Sequence, residues 1–315
     1  MTPSNPPRDE SGSTPLESTA QLMNRITAQL GSQLGDVSRN GRRRTPAPGS
    51  APAQAPLVVV AHGSRDPRAL STVTALLDRA RALRPGLPVR LGHIELNEPL
   101  LGDTLADLAT EGAAAPGDPA APAPVLVPLL LSRGYHVKHD IPAAVAATPG
   151  LTARVAAPLG PHPLLVEALY ARLVEAGWNP RTSEAARRRS GVVLAAAGSR
   201  DPESATDTGH TARLLAERLG VPVVPAYATP TPGTPHTVAD ALGSLAARGR
   251  HRAAVASYFT APGRFAAQCA AAGPWIAAAP LGDHPALARL LLHRYDEART
   301  GTGRDQAAAR QLASA

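Results

Sequence analysis

The chain has 315 residues, 43% of them hydrophobic but only 3% aromatic, and a formal net charge of +7. That length accommodates two ordinary domains, each large enough to bury a core. The single cysteine, Cys269, excludes a disulfide framework and a cysteine-built metal site, and it fits a reducing, cytoplasmic setting.

No apolar run approaches the roughly 20 residues that span a bilayer, and no apolar h-region follows the N-terminal charges, so neither a membrane span nor a secretory signal is expected. The basic balance (pI near 10.4) invites a nucleic-acid reading. However, the densest clusters, Arg42-Arg43-Arg44 and Arg187-Arg188-Arg189, fall in segments that read as unstructured, and aromatic stacking platforms are scarce. No nucleic-acid partner is expected. A modest positive field does suit a small, heavily carboxylated ligand.

Residues 1–55 are rich in Pro, Ser, Thr, Gly and Arg and read as disordered. Leu22, Met23, Ile26 and Leu30 have the spacing of a short helix within them. A first lobe is expected over 56–177, with strands at 57–61, 89–95, 125–130 and 153–157 and helices at 67–83, 99–111, 137–147 and 162–176. The Ala/Pro-rich stretch 113–124 reads as a loop insertion. A linker over 178–190 leads to a second lobe, 191–297, with the same order of elements, and a polar tail follows over 298–315. Short apolar strands alternating with helices predict an α/β fold, each lobe a parallel sheet covered on both faces.

The lobes are copies of one unit. Ala61-His62-Gly63-Ser64-Arg65-Asp66-Pro67 returns as Ala196-Ala197-Gly198-Ser199-Arg200-Asp201-Pro202, with Ala197 in place of His62. The 87–95 segment aligns with 221–229, so Glu95 becomes Thr229. The 127–136 segment aligns with 256–265, pairing Gly134 with Gly263 and His136 with Phe265. Pro158-Leu159-Gly160-Pro161-His162-Pro163 aligns with Pro280-Leu281-Gly282-Asp283-His284-Pro285, and here the histidine stays. The second copy has thus lost His62, Glu95 and His136 together and kept the glycines and apolar runs that build a fold.

In a parallel sheet, ligands bind beyond the carboxyl ends of the strands. His62, Glu95 and His136 each follow or end a strand, so they converge on one edge. Two imidazoles and a carboxylate suit a first-row divalent metal or proton removal near neutrality. Structural readings stand beside this one: a capping role for His62 or Glu95, a helix start for His136, packing for His93, and orientation of His136 or support of its turn for His139 and Asp140. His162, kept in both copies, reads as a helix-start residue. Ser64 and Arg65 resemble an anion-binding strand-to-helix turn, yet Gly-x-Gly-x-x-Gly, Gly-Lys-Ser/Thr and Gly-x-Ser-x-Gly are all missing.

Taken together, Ala61-His62-Gly63-Ser64-Arg65, Ile94-Glu95-Leu96 with Glu98-Pro99, and Pro128-Leu129-Leu130-Leu131 through Gly134-Tyr135-His136 to Asp140-Ile141-Pro142 resemble the sirohydrochlorin chelatases, small class II tetrapyrrole chelatases. The resemblance covers roughly 56–295, with the second half matching as a degenerate repeat. It implies two chelatase-like lobes, each with a four-stranded parallel sheet, in a monomer that mimics a homodimer. It also implies insertion of Fe2+, or alternatively Co2+, into sirohydrochlorin, with no organic cofactor. By the same resemblance, His62, His136 and Glu95 bind the metal or take the pyrrole protons. Ser64, Arg65, Arg133 and Lys138 are then the candidates for meeting the substrate carboxylates. Two other readings use the same residues: a non-catalytic metal or tetrapyrrole carrier, and a metal-dependent hydrolase, which should show more acidic ligands than Glu95.

Overall fold

The structure, a computed structural model, describes residues 54–114 and 122–301. The expectations for 1–53, most of the 113–124 insertion and the end of the tail fall outside these residues.

Lobe one contains β1 (Leu57–Ala61), α1 (Pro67–Leu83), β2 (Val89–His93), α2 (Leu101–Ala114), β3 (Val125–Pro128), a π-helical turn His136–Asp140 running into α3 (Ile141–Ala146), β4 (Arg154–Val155) and α4 (Pro163–Glu175). A short helix, α5 (Glu184–Arg188), precedes lobe two, which contains β5 (Ser190–Ala196), α6 (Pro202–Leu219), β6 (Val223–Tyr227), α7 (Val238–Ala247), β7 (Arg252–Ser257), α8 (Arg264–Ala270), β8 (Ile276–Ala277) and α9 (Pro285–Thr300). The sheets run β2-β1-β3-β4 and β6-β5-β7-β8, all parallel. The duplication inferred from sequence is therefore a duplication of topology.

The central strands β1 and β5 are buried along their whole length, which is why they read as unbroken apolar runs rather than alternating ones. α1 begins where the Asp66 side chain accepts the Arg68 N–H and Pro67 fills the first turn, and it buries Ala69, Val73, Leu76, Leu77 and Ala80. β2 and β3 are shorter than expected. β2 stops at His93, and Glu95 lies in the turn beyond it.

One result was not expected from the order of the elements. The last helix of each lobe packs on the other lobe: α4 lies against α6 and β7, while α9 lies against α1, β3 and β4. A single core cluster accordingly runs through Leu76, Leu165, Leu169, Leu215, Leu287 and Leu291 from both halves. Arg84 clasps Asp296 through two hydrogen bonds of 2.7 Å, and Tyr295 donates to the Ala55 carbonyl at 2.8 Å.

The basic cluster at 187–189 also departs from expectation, because Arg187 and Arg188 lie in α5. Ser183 caps that helix through the Ala186 N–H, and Glu184 sits within ion-pair range of both arginines. Trp178, at the start of the expected linker, is buried. No helix among the described residues is long and apolar enough to cross a membrane.

Candidate active site

The carboxyl ends of the strands from both lobes border one cleft of about 710 Å³, a size typical of small-molecule sites. Lobe one contributes His62, Ser64, Arg65, Glu95, Arg133 and His136 to its walls, and lobe two contributes Ala197, Ser199, Tyr258, Phe259, Arg264 and Phe265.

His62 follows β1 directly. The next residue, Gly63, has φ 102°, and a Cβ there would collide with the Glu95 carbonyl. Glycine therefore lets the turn after β2 close on the turn after β1. The Ile94 N–H bonds to the Ala61 carbonyl at 2.9 Å, and the Glu95 N–H bonds to the His62 carbonyl at 3.0 Å. Glu95 Oε1 consequently stands 3.6 Å from His62 Nδ1, in range for an ion pair once the imidazole is protonated. Gly198 repeats the approach to Thr229 with φ 99°, but there it gathers no ionisable side chain.

His136 opens the π-helical turn. Its ring meets that of His62 edge-on, with centroids 4.7 Å apart and planes at 88°. Asp140 Oδ2 lies 2.5 Å from His136 Nδ1. A carboxylate can only accept, so Nδ1 carries the hydrogen and Nε2 presents its lone pair. The same logic applies to His62, whose Nδ1 faces the Gly63 carbonyl at 3.3 Å. Both side chains are partly open, 43% exposed for His62 and 37% for His136. Among the described residues, no three His, Cys, Asp or Glu side chains are gathered to hold a metal ion. Glu95 comes to His62, and the two histidines come to each other.

The other candidates are placed as follows. The Ser64 hydroxyl accepts the Asp66 N–H at 3.1 Å, and its own N–H donates to Asn97 Oδ1 at 2.7 Å. Ser199 repeats the first bond at 3.1 Å, so this hydroxyl shapes the turn in both lobes. Arg65 is exposed on the cleft, with no ion-pair partner among the described residues. Arg133 and Lys138 are already engaged by lobe two. Arg133 reaches Asp207 and Glu203, and Lys138 reaches Asp201 and Glu203, all of which raises the pKa of both cations. His139 stacks on Tyr135, with ring centroids 4.7 Å apart. His93 is buried, with Nδ1 near the Pro99 carbonyl at 3.2 Å, and burial lowers its pKa. His162 and His284 each cap a helix, accepting the Leu164 and Ala286 N–H groups through Nδ1.

The pairing of Gly134 with Gly263 has a geometric counterpart. Gly134 lies against the Ser199 hydroxyl and Gly263 against the Ser64 hydroxyl, reciprocal contacts across the two lobes. Phe265 therefore occupies the place of His136. Sequence reasoning missed Asn97, Tyr258 and Asp207. The signal for Asp207 was present: Ser204, Asp207, Thr208 and Thr211 recur at helical spacing along the buried face of α6, where apolar residues belong.

The sequence profile of the CbiX family matches residues 56–176 and 191–298. The sirohydrochlorin ferrochelatase of Bacillus subtilis is 31% identical over 179 residues, 55% of this chain and 62% of that protein. A sirohydrochlorin cobaltochelatase of Methanococcus aeolicus is 31% identical over 86 residues, 27% of this chain and 54% of that protein. The match thus spans less than two thirds of either relative. Among solved structures, SirB from Bacillus subtilis with Fe3+ superposes with a TM-score of 0.62 at 23% identity, covering 79% of this chain and 97% of that one. A CbiX structure described as the terminal enzyme of sirohaem biosynthesis in denitrifying bacteria gives 0.55 at 21%, covering 77% and 99%. At these identities the structural likeness speaks for the fold, while the profile spans both lobes. The chain belongs to the CbiX family of sirohydrochlorin chelatases.

Proposed function

We propose that this protein inserts Fe2+ into sirohydrochlorin, with Co2+ as the alternative metal substrate, at the cleft edge marked by His62 and His136. The observation that carries the reading is the pair of imidazoles 4.7 Å apart on a cleft between two lobes, each with Nδ1 engaged and Nε2 without a partner among the described residues. Insertion of a dication forms four metal–nitrogen bonds and releases two pyrrole protons, so the site needs bases. A neutral imidazole offers a nitrogen lone pair to accept them. Asp140 steadies the imidazolium formed at His136, and Glu95 the one formed at His62. A site of two imidazoles with open positions also suits a metal that must be handed on to the macrocycle.

Arg65, exposed on the cleft beside the histidines, is a cation available to a peripheral carboxylate of the substrate, and the Ser64 turn supports it. Arg133 and Lys138 would have to leave their carboxylates in lobe two to do the same. The ferrochelatase and the cobaltochelatase are equally similar to this chain, at 31% identity, so both metals enter the test. The test is the anaerobic absorption spectrum of sirohydrochlorin mixed with the protein and Fe2+ or Co2+. Conversion to the metallated macrocycle at a rate above the protein-free control is expected. Binding of the macrocycle without acceleration would replace this reading with that of a carrier.

A further inference from the structure

We infer that lobe two, lacking the histidines, is the clamp that sets the position of His136, with Asp207 as its principal positioning residue. Backbone bonds within lobe one hold Leu129 and Leu130, but among the described residues the side-chain hydrogen bonds on 131–133, the segment that leads into His136, all come from the other lobe. The Leu131 carbonyl accepts the Tyr258 hydroxyl at 2.9 Å, and the Ser132 hydroxyl meets that of Ser204 at 2.8 Å. The Arg133 backbone N–H donates to Asp207 Oδ2 at 2.9 Å, and its guanidinium donates to the same carboxylate at 3.0 and 2.6 Å and to Glu203 at 2.7 Å. Two residues past the histidine, Lys138 pairs with Asp201 at 2.6 Å and with Glu203.

The Asp207 side chain is 3% exposed. A carboxylate so buried is tolerable only with such a full set of charge-assisted partners, and that requirement fixes the loop geometry. The clamp works in one direction only. Tyr258, Ser204 and Asp207 stand where lobe one has Leu129, Ala69 and Thr72. Ser132, Arg133 and Lys138 stand where lobe two has Ala261, Pro262 and Ala267. Both halves of the contact are specialised, and among the described residues no reciprocal hydrogen bond holds 260–265 to lobe one. Simple decay of a spare copy would leave apolar or random residues at these positions, not a matched polar set.

The inference rests on the proposed chelation for its kinetic readout. Asp207→Asn keeps the volume and removes the charge. Since a misplacement of about 1 Å costs on the order of 10²-fold in rate, a fall in kcat of that order is expected, with KM for sirohydrochlorin within about twofold. Glu203→Gln, at a half-exposed position, should give a smaller loss of the same kind, and it carries the test if Asp207→Asn does not fold. A folded variant with unchanged kcat, or a loss confined to KM, overturns the clamp. If the wild-type chain inserts no metal, the functional reading fails and the clamp is judged by amide hydrogen exchange. Faster exchange over 134–138 in either variant supports it, and unchanged exchange overturns it.

Discussion

Asp140 Oδ2 holds His136 Nδ1 at 2.5 Å, and that contact decides which nitrogen of the histidine faces the cleft. Asp140→Asn can donate as well as accept at this place and so admits the wrong tautomer. The expected result is a 10- to 100-fold loss of insertion rate, roughly the cost of removing an orienting partner, with a nearly unchanged melting temperature. Initial rates with saturating macrocycle measure it, and a full rate would mean that Asp140 does not orient the base.

His62→Ala and His136→Ala should each reduce insertion by at least about 10²-fold, the scale of a lost general base. Both side chains are more than a third exposed, so truncation opens little cavity and thermal melting should stay within a few degrees of wild type. Near wild-type turnover in both variants would remove the proposed site.

Gly63→Ala and Gly198→Ala form a matched pair. Each forces a residue with a Cβ to φ near 100° against the facing backbone carbonyl, and each should cost more stability than the roughly 1–3 kcal/mol of an unfavourable φ alone, because the overlapped atom is itself backbone. Only Gly63→Ala displaces Glu95. Its activity should therefore fall further than that of Gly198→Ala at equal stability loss. Rate assays on both, referenced to denaturation curves, make the comparison.

Phe265→His should not awaken a second site, because Ala197 and Thr229 supply no companion groups. Phe265 is half-buried on the cleft wall beside the Arg264 guanidinium. Its loss should raise KM for sirohydrochlorin and cost about 1 kcal/mol, a fraction of a fully buried phenyl ring. Activity in His62→Ala/Phe265→His above that of His62→Ala would contradict the assignment of lobe two as inactive.

Acid stability should depend on His162. Its neutral Nδ1 caps α4, and burial, followed by repulsion from Arg294 and His293, lowers its pKa from 6.5 to about 4. Between those values the unfolded chain binds a proton that the folded chain does not. Stability is therefore full above 6.5, falls as the pH drops towards 4, and levels off below it. His284, lowered chiefly by burial, adds in the same direction. His162→Asn keeps a capping acceptor without the titration, so its urea midpoint should fall less across this window. An identical pH profile for both proteins would exclude the cap as the source.

The sequence by itself determined the strands, most helix bounds, the duplication and the trio lost from one copy. Buried parallel strands are apolar along their whole length, helices report their buried face every three to four residues, and a repeat exposes its own substitutions. β1 and α1 fall where the residues placed them; the sequence offered His139 and Asp140 alike as orienters of His136 or supports of its turn, and the structure gives the contact to Asp140. The tertiary structure alone decided that α4 and α9 change lobes, that Arg133 and Lys138 are held by carboxylates 63 to 74 residues away, and that Asp207 is buried beneath the loop carrying His136. Periodicity reports which face of an element is covered and says nothing of what covers it. A polar stripe on α6 signals a partner, but only the packing of one lobe on the other supplies its identity.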